Sequence, residues 1–204
     1  MRKLILPLTI FLICYTGTLH AQDFKGGLLA GMSATQVDGD GYGGYKQAGL
    51  TAGVWVSLPI SNTYSIRTEL KFLQKGSHSQ TKDELGAVTD FYKLRLNYIA
   101  LPFLLEYHFN EKFVPFVGID FGYLWKAYES NMEGSFPEED IAKFRKVEIS
   151  ASGGVEYLIN SRFSFCASFS YSAFPVRRHR GDITYRLNRG QFNNVLQFYL
   201  RYHM

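Results

Sequence analysis

Two long stretches with alternating apolar and polar residues dominate the chain, running from Phe91 to Tyr128. In the second, Phe113, Val117, Ile119, Phe121, Tyr123 and Trp125 share one parity, against Phe116, Gly118, Asp120, Gly122 and Lys126 on the other. In the first, Leu94, Leu96, Tyr98 and Ala100 alternate with Lys93, Arg95 and Asn97. A period of two is the signature of a strand, because successive side chains leave a pleated backbone on opposite faces. Asn110, Glu111 and Lys112 join the two arms, so the segment predicts a hairpin. Ordinary strands run about 5–6 residues, whereas crossing a membrane takes about 9–11. Arms of this length with one aromatic face point to a transmembrane β-barrel.

The same pattern predicts six further strands, near Phe24–Ser33, Ala48–Leu58, Thr63–Lys75, Phe144–Ile159, Phe163–Phe174 and Gln191–Met204. Short connections (Pro59–Asn62, Asn110–Lys112, Asn160–Arg162) alternate with long polar ones (Thr35–Gln47, Gly76–Asp90, Glu129–Lys143, Arg177–Gly190). Short periplasmic turns and longer outer loops are the outer-membrane arrangement. The fold expected is all-β: one eight-stranded, antiparallel, up-and-down transmembrane barrel over 22–204, following a signal peptide over 1–21. Tyr64, Phe113, Tyr157, Phe163 and Tyr202 fall at the turn-side strand ends, where an outward interfacial belt is expected. In the fourth strand the apolar parity switches near Pro102, from even positions before it to Phe103, Leu105, Tyr107 and Phe109 after it. A bulge near this proline would produce that switch.

Composition supports the address. Arg2 and Lys3 precede an apolar run, Leu4–Tyr15, and a small-residue exit at Thr16–Ala21, with cleavage expected between Ala21 and Gln22. Cys14 follows Ile13 where lipidation needs a small residue, so no lipid anchor is expected. The mature chain keeps one cysteine, Cys166, and therefore no internal disulfide. The mean hydropathy of −0.11 does not argue against a barrel, since alternation hides a lipid face from any average. The 14 Tyr and 17 Phe exceed the needs of a small soluble domain. Without Arg2 and Lys3 the balance of 22 basic and 18 acidic residues falls to a net +2, which implies no nucleic-acid partner.

Charges on the polar parity are expected to fill the lumen as ion pairs: Arg67, Glu69, Lys71, Lys93, Arg95, Glu106, Asp120, Lys126, Lys146, Glu148, Glu156 and Arg201. Small residues on the opposite wall leave room for them, and Trp55 and Tyr199 are read as bulky caps. The interior of an eight-stranded ring is just wide enough for side chains to fill, so a closed lumen follows. Arg177, Arg178 and Arg180 open the last long loop. They suit lipopolysaccharide phosphates, or else form a solvated loop partly paired with the acidic third loop (Glu129, Glu133, Glu138, Glu139, Asp140).

Other chemistry is thin. Asp38-Gly-Asp40-Gly starts like a calcium loop, but Gly49 stands where the twelfth-position acid belongs, so a tight turn is expected. His20, His108 and His203 lack metal-ligand partners at useful spacing. Ser77-His78-Ser79 with Asp83 or Glu84 lies in one loop, a poor frame for a triad. No catalytic residue, metal or cofactor is expected.

The chain resembles the PorT-like outer-membrane β-barrel proteins of the Bacteroidota. The resemblance rests on the Gly-rich opening Gly26-Gly27-Leu28-Leu29-Ala30-Gly31, the stretch Asp38–Lys46, Gly49 and Gly53, and Asn97–Tyr107 with its aromatic-then-proline order. It covers essentially the whole mature chain. It implies an eight-stranded outer-membrane barrel, and its founding member is tied to secretion and gliding machinery. The partners expected are outer-membrane lipid and either lipopolysaccharide, through the loop arginines, or a secretion or envelope protein; a monomer is expected. Two rival readings stay open: a soluble periplasmic lipocalin-like barrel with its apolar face around a ligand, and an outer-leaflet lipid-modifying enzyme.

Overall fold

The computed structural model describes residues 24–136, 143–178 and 190–204. The expected signal peptide lies outside the described residues. Among them the strands are β1 (Lys25–Asp38), β2 (Gln47–Pro59), β3 (Tyr64–Lys82), β4 (Val88–Tyr107), β5 (Phe113–Asn131), β6 (Gly134–Ser135), β7 (Val147–Leu158), β8 (Phe163–Ser172) and β9 (Phe192–His203). Each ring strand pairs antiparallel with its sequence neighbours, β5 with β7, β1 with β9, and β4 with β5, so eight strands close without a free edge. The two-residue β6 hangs on the outer end of β5. Closure satisfies the backbone donors and acceptors without water, as hydrocarbon surroundings require.

The short turns share one device. A side-chain oxygen accepts the backbone N–H groups two and three residues on: Asn110 from Lys112 and Phe113 at 2.9 and 2.8 Å, Asn160 from Arg162 and Phe163 at 2.9 Å each, and Ser61 from Thr63 and Tyr64 at 3.2 and 3.1 Å. Such local bonds fix tight turns and hence the register of each hairpin. The long connection expected over Gly76–Asp90 is mostly strand instead. β3 and β4 continue outward to a tight turn where the Asp83 carboxylate accepts from Leu85 and Ala87 at 3.0 and 2.8 Å and Gly86 takes a φ of 85°. β1 likewise runs on to Asp38.

The facing follows the alternation over the turn-side half. On β8, Phe163, Phe165 and Phe169 are exposed while Ser164, Cys166, Ser168 and Ser170 are buried. The belt at the turn end forms through cross-strand ring contacts: Tyr64 with Tyr107 at 5.3 Å, Phe113 with Tyr157 at 5.1 Å and Phe163 with Tyr202 at 5.3 Å between centroids.

β4 corrects the expected bulge near Pro102. Its even residues point inward without interruption, through Leu94, Leu96, Tyr98, Ala100, Pro102, Leu104 and Glu106. What switches is the polarity of each face, not the backbone. Toward the turns the outside is apolar (Leu101, Phe103, Leu105, Tyr107) and the inside holds Glu106. Toward the loops the inside is an apolar cluster of Val37, Leu94, Leu96, Tyr98 and Leu124, and the outside carries Lys93, Arg95 and Asn97. Two breaks in register occur along β4, both away from Pro102. Against β3, Thr81 pairs with Asp90 and Lys82 with Val88, so β4 holds an extra residue at Thr89 near its outer turn. Against β5, the pairs Asn97–Lys126 and Tyr98–Leu124 leave β5 an extra residue at Trp125. Trp125 and Lys126 are consequently both exposed, although Leu124 points inward.

The charged lumen and the outer cleft

The turn-side half of the lumen is a single ion network. Arg67 of β3 is fully buried and lies 3.1 Å from Glu69, 2.6 Å from Glu106 and 2.9 Å from Glu156. Arg201 of β9 pairs with Glu156 and reaches Glu106 at 3.4 Å; Lys71 holds Glu69 at 2.7 Å. Three cations thus face three carboxylates drawn from β3, β4, β7 and β9. Aromatic faces complete the surroundings: Arg67 over Phe116 at 4.4 Å, Arg201 over Trp55 at 3.7 Å and Lys71 over Tyr199 at 5.1 Å. Trp55 and Tyr199 thus lie inside the lumen, stacked on its cations. Ser57 donates to Glu106 at 2.8 Å and His203 sits 3.5 Å from Glu156. Buried charges persist only when paired and hydrogen-bonded in this way.

A second cluster lies further out. Glu148 receives Lys75 at 2.8 Å, the hydroxyls of Ser150 and Ser172 at 2.8 and 2.7 Å, and the Asn193 amide at 2.8 Å. Asp120 accepts from Ser152 at 2.7 Å. Lys75 was absent from the lumen set expected from sequence, yet it shares the parity of Arg67 and Lys71 and could have been found by carrying that parity two steps further, past Leu73. Beyond the apolar cluster, toward the loops, lies Arg177. It is buried, bonded to Glu129 at 2.8 and 3.2 Å and to Gln191 at 2.8 Å, and stacked on Phe144 at 4.3 Å. Burial opposes its charge, but the hydrogen bonds to Glu129 more than offset that and hold its pKa above the ordinary arginine value.

These positions correct two expectations. Lys93, Arg95, Lys126 and Lys146 do not join the lumen: the first three lie outside on β4 and β5, and Lys146 is exposed just before β7. Apolar residues hold the interior at that height, and the extra residue at Trp125 turns Lys126 outward. Arg177 is not a surface phosphate ligand, because Glu129 already occupies it. Arg178 is exposed, and Arg180 lies outside the described residues.

A family model described as an outer membrane protein beta-barrel domain matches residues 20–176. The chain belongs to that family. Two solved structures share its fold. Ail, the attachment invasion locus protein of Yersinia pestis, is 14% identical over 88% of this chain and 98% of its own, at a TM-score of 0.50. Neisserial surface protein A is 11% identical over 88% and 96%, at 0.52. At such identities the likeness concerns the fold alone. No curated protein matches the chain. The protein is a small β-barrel of the bacterial outer membrane, and the soluble lipocalin-like reading is set aside: its apolar face points outward and its charges inward.

Chemistry on such a barrel can sit in the lumen, in the loops or on the outer wall. The structure separates the Ser77–His78 pair: Ser77 is buried inside, while His78 stacks edge-on against Phe91 at 5.7 Å. Neighbouring strand residues face opposite ways, so no Ser–His dyad forms here. Cys166 is fully buried among Leu29, Trp55 and Tyr199. Among the described residues no three His, Cys, Asp or Glu side chains converge as a metal site. The outer wall, by contrast, carries a cleft of about 610 Å³ lined by Lys93, Arg95, Lys126, Tyr128 and Phe136, among others.

Proposed function

We propose that the protein is a closed, non-conducting and non-catalytic barrel whose role is carried by its outer loops and rim. In this reading residues 1–21 are removed on export, the monomer spans the outer membrane, and the rim engages a secretion or envelope partner of the kind implied by the PorT-like resemblance. The observation that supports it best is the Arg67–Glu106–Glu156–Arg201 network, which ties β3, β4, β7 and β9 together across the lumen. Lys75–Glu148 and Arg177–Glu129 add two further layers toward the outside. An ion entering the lumen would have to displace charges that are already paired and largely shielded from water, at a cost of several kcal/mol for each charge stripped of its partner. Planar-bilayer recording of the purified monomer tests this. A membrane that stays electrically silent after insertion is expected. Stable single-channel conductance that persists when neutral salts are exchanged would overturn the closed-lumen reading.

A further inference from the structure

We infer that the outward cleft on β4 and β5 is a binding site for the phosphate-bearing headgroup of an outer-leaflet lipid. The inference stands whether or not the lumen conducts.

Its first support is depth. From Tyr107, in the turn-side belt, to Asn97, β4 climbs about 26 Å along the barrel axis, taking ~3.4 Å per residue and a tilt of ~40°. The apolar band of such barrels is about 25 Å tall. The row of Phe72, Ile99 and Tyr123 is therefore the last one in acyl chains, and the next rows, with Lys126 beside Asn97 and Arg95 beside Tyr128, stand at headgroup level. Trp125 marks the same level independently. It is 67% exposed, and amphipathic rings gather at the interface.

Its second support is the choice of residues. Along the outer face, cations appear where the apolar band ends, and three of them line one concave surface. The Arg95 Nε is shielded from solvent and makes no hydrogen bond among the described residues. Lys126 reaches this surface because of the extra residue in β5, and its ammonium lies 4.9 Å from the Tyr128 ring centre. The Glu129 carboxylate is held on the inner side of this wall by Arg177. The Lys93 ammonium and the Arg95 guanidinium in this lining suit phosphate oxygens. Tyr128 and Phe136 provide an apolar flank, and Phe72, Ile99 and Tyr123 a path for an acyl chain just below. A free phosphate would use only the upper part of this surface; a phospholipid-like amphiphile uses all of it.

The test is native mass spectrometry of the folded mature barrel released from detergent, with diphosphoryl lipid A, dephosphorylated lipid A and phosphatidylcholine as probes. Retention of diphosphoryl lipid A over the other two is expected. Lys93→Gln/Arg95→Gln/Lys126→Gln should weaken it on the order of a hundredfold, and the charge-keeping Lys93→Arg/Arg95→Lys/Lys126→Arg should retain it. Arg95→Gln alone, expected to weaken retention about fivefold, covers the case in which the triple variant does not fold. Equal retention by the glutamine variants, or equal retention of the dephosphorylated lipid, would overturn the proposal. Displacement of the lipid by excess inorganic phosphate would make this a site for the free anion and overturn the lipid assignment.

Discussion

Replacing Arg67 with Met leaves a side chain of similar length but no charge at the crossing point of the lumen. Glu69, Glu106 and Glu156 would then face only Lys71 and Arg201, one cation short. Removing one partner from a buried ion pair costs roughly 3–5 kcal/mol. The lower end applies, because Lys71 still holds Glu69 and Arg201 still holds Glu106 and Glu156, so the charge left over is shared. A loss of about 3 kcal/mol is a little over two decades in the folding equilibrium. Urea titration of the barrel refolded into lipid vesicles measures it. Trp55, which stacks on Arg201, gives a fluorescence signal from inside the network, and the heat-dependent shift in electrophoretic mobility counts folded barrels. Arg67→Met/Glu106→Gln, which removes one charge of each sign, should regain more than half of the loss, since a neutralised buried pair is far less costly than a broken one. A single Arg67→Met variant within about 0.5 kcal/mol of the parent would mean that water screens these charges, and the argument for a closed lumen would fail with it.

Three further outcomes are expected. Phe103→Arg, on the lipid face about 10 Å above the turn-side belt and in ring contact with Phe121 at 6.0 Å, should destabilise the barrel in vesicles by roughly 2–4 kcal/mol; an unchanged urea midpoint would contradict the outward assignment of the odd residues of β4. Gly31→Ala should cost about 1–3 kcal/mol, because a Cβ there would lie 2.2 Å from the Phe198 carbonyl oxygen and force β1 from β9; full stability would show that this pair can separate freely. Burial raises the Asp40 pKa in the first outer loop, above the usual carboxylate value, despite the hydrogen bond from the Tyr42 amide at 2.8 Å. Its contribution is therefore favourable at low pH and is lost as the pH rises through the raised value. Asp40→Asn should accordingly slow proteolysis of that loop at neutral pH, with the advantage vanishing as the pH falls to the ordinary Asp range, and an advantage that grows on acidification would show the sign to be wrong.

The ring can be read from the alternation alone. A side-chain period of two, repeated eight times and punctuated by alternately short and long polar connections, allows little but an antiparallel barrel, and the Asn and Ser residues that close the short turns are visible in the chain. Over the turn-side half it also determined which way each residue faces. One side of every strand meets lipid there, so apolar means outward, and Arg67, Glu69, Lys71, Glu106, Glu156 and Arg201 were legible as lumen residues. The outer half depends instead on how the folded wall meets its surroundings. Beyond the hydrocarbon the outside of the wall meets headgroups and water, so the rule inverts: Leu94, Leu96 and Tyr98 fill the interior while Lys93 and Arg95 turn out. That inversion produced the parity switch near Pro102 without any bulge at that point of β4. The bulge at Trp125 leaves no mark in the alternation strong enough to distinguish it from an ordinary run of apolar residues, yet it decides the direction of Lys126. Arg177 was visible as one of several arginines in a loop. Its burial depends on Glu129, Gln191 and Phe144 arriving from three other parts of the chain, and no local pattern encodes a meeting of that kind.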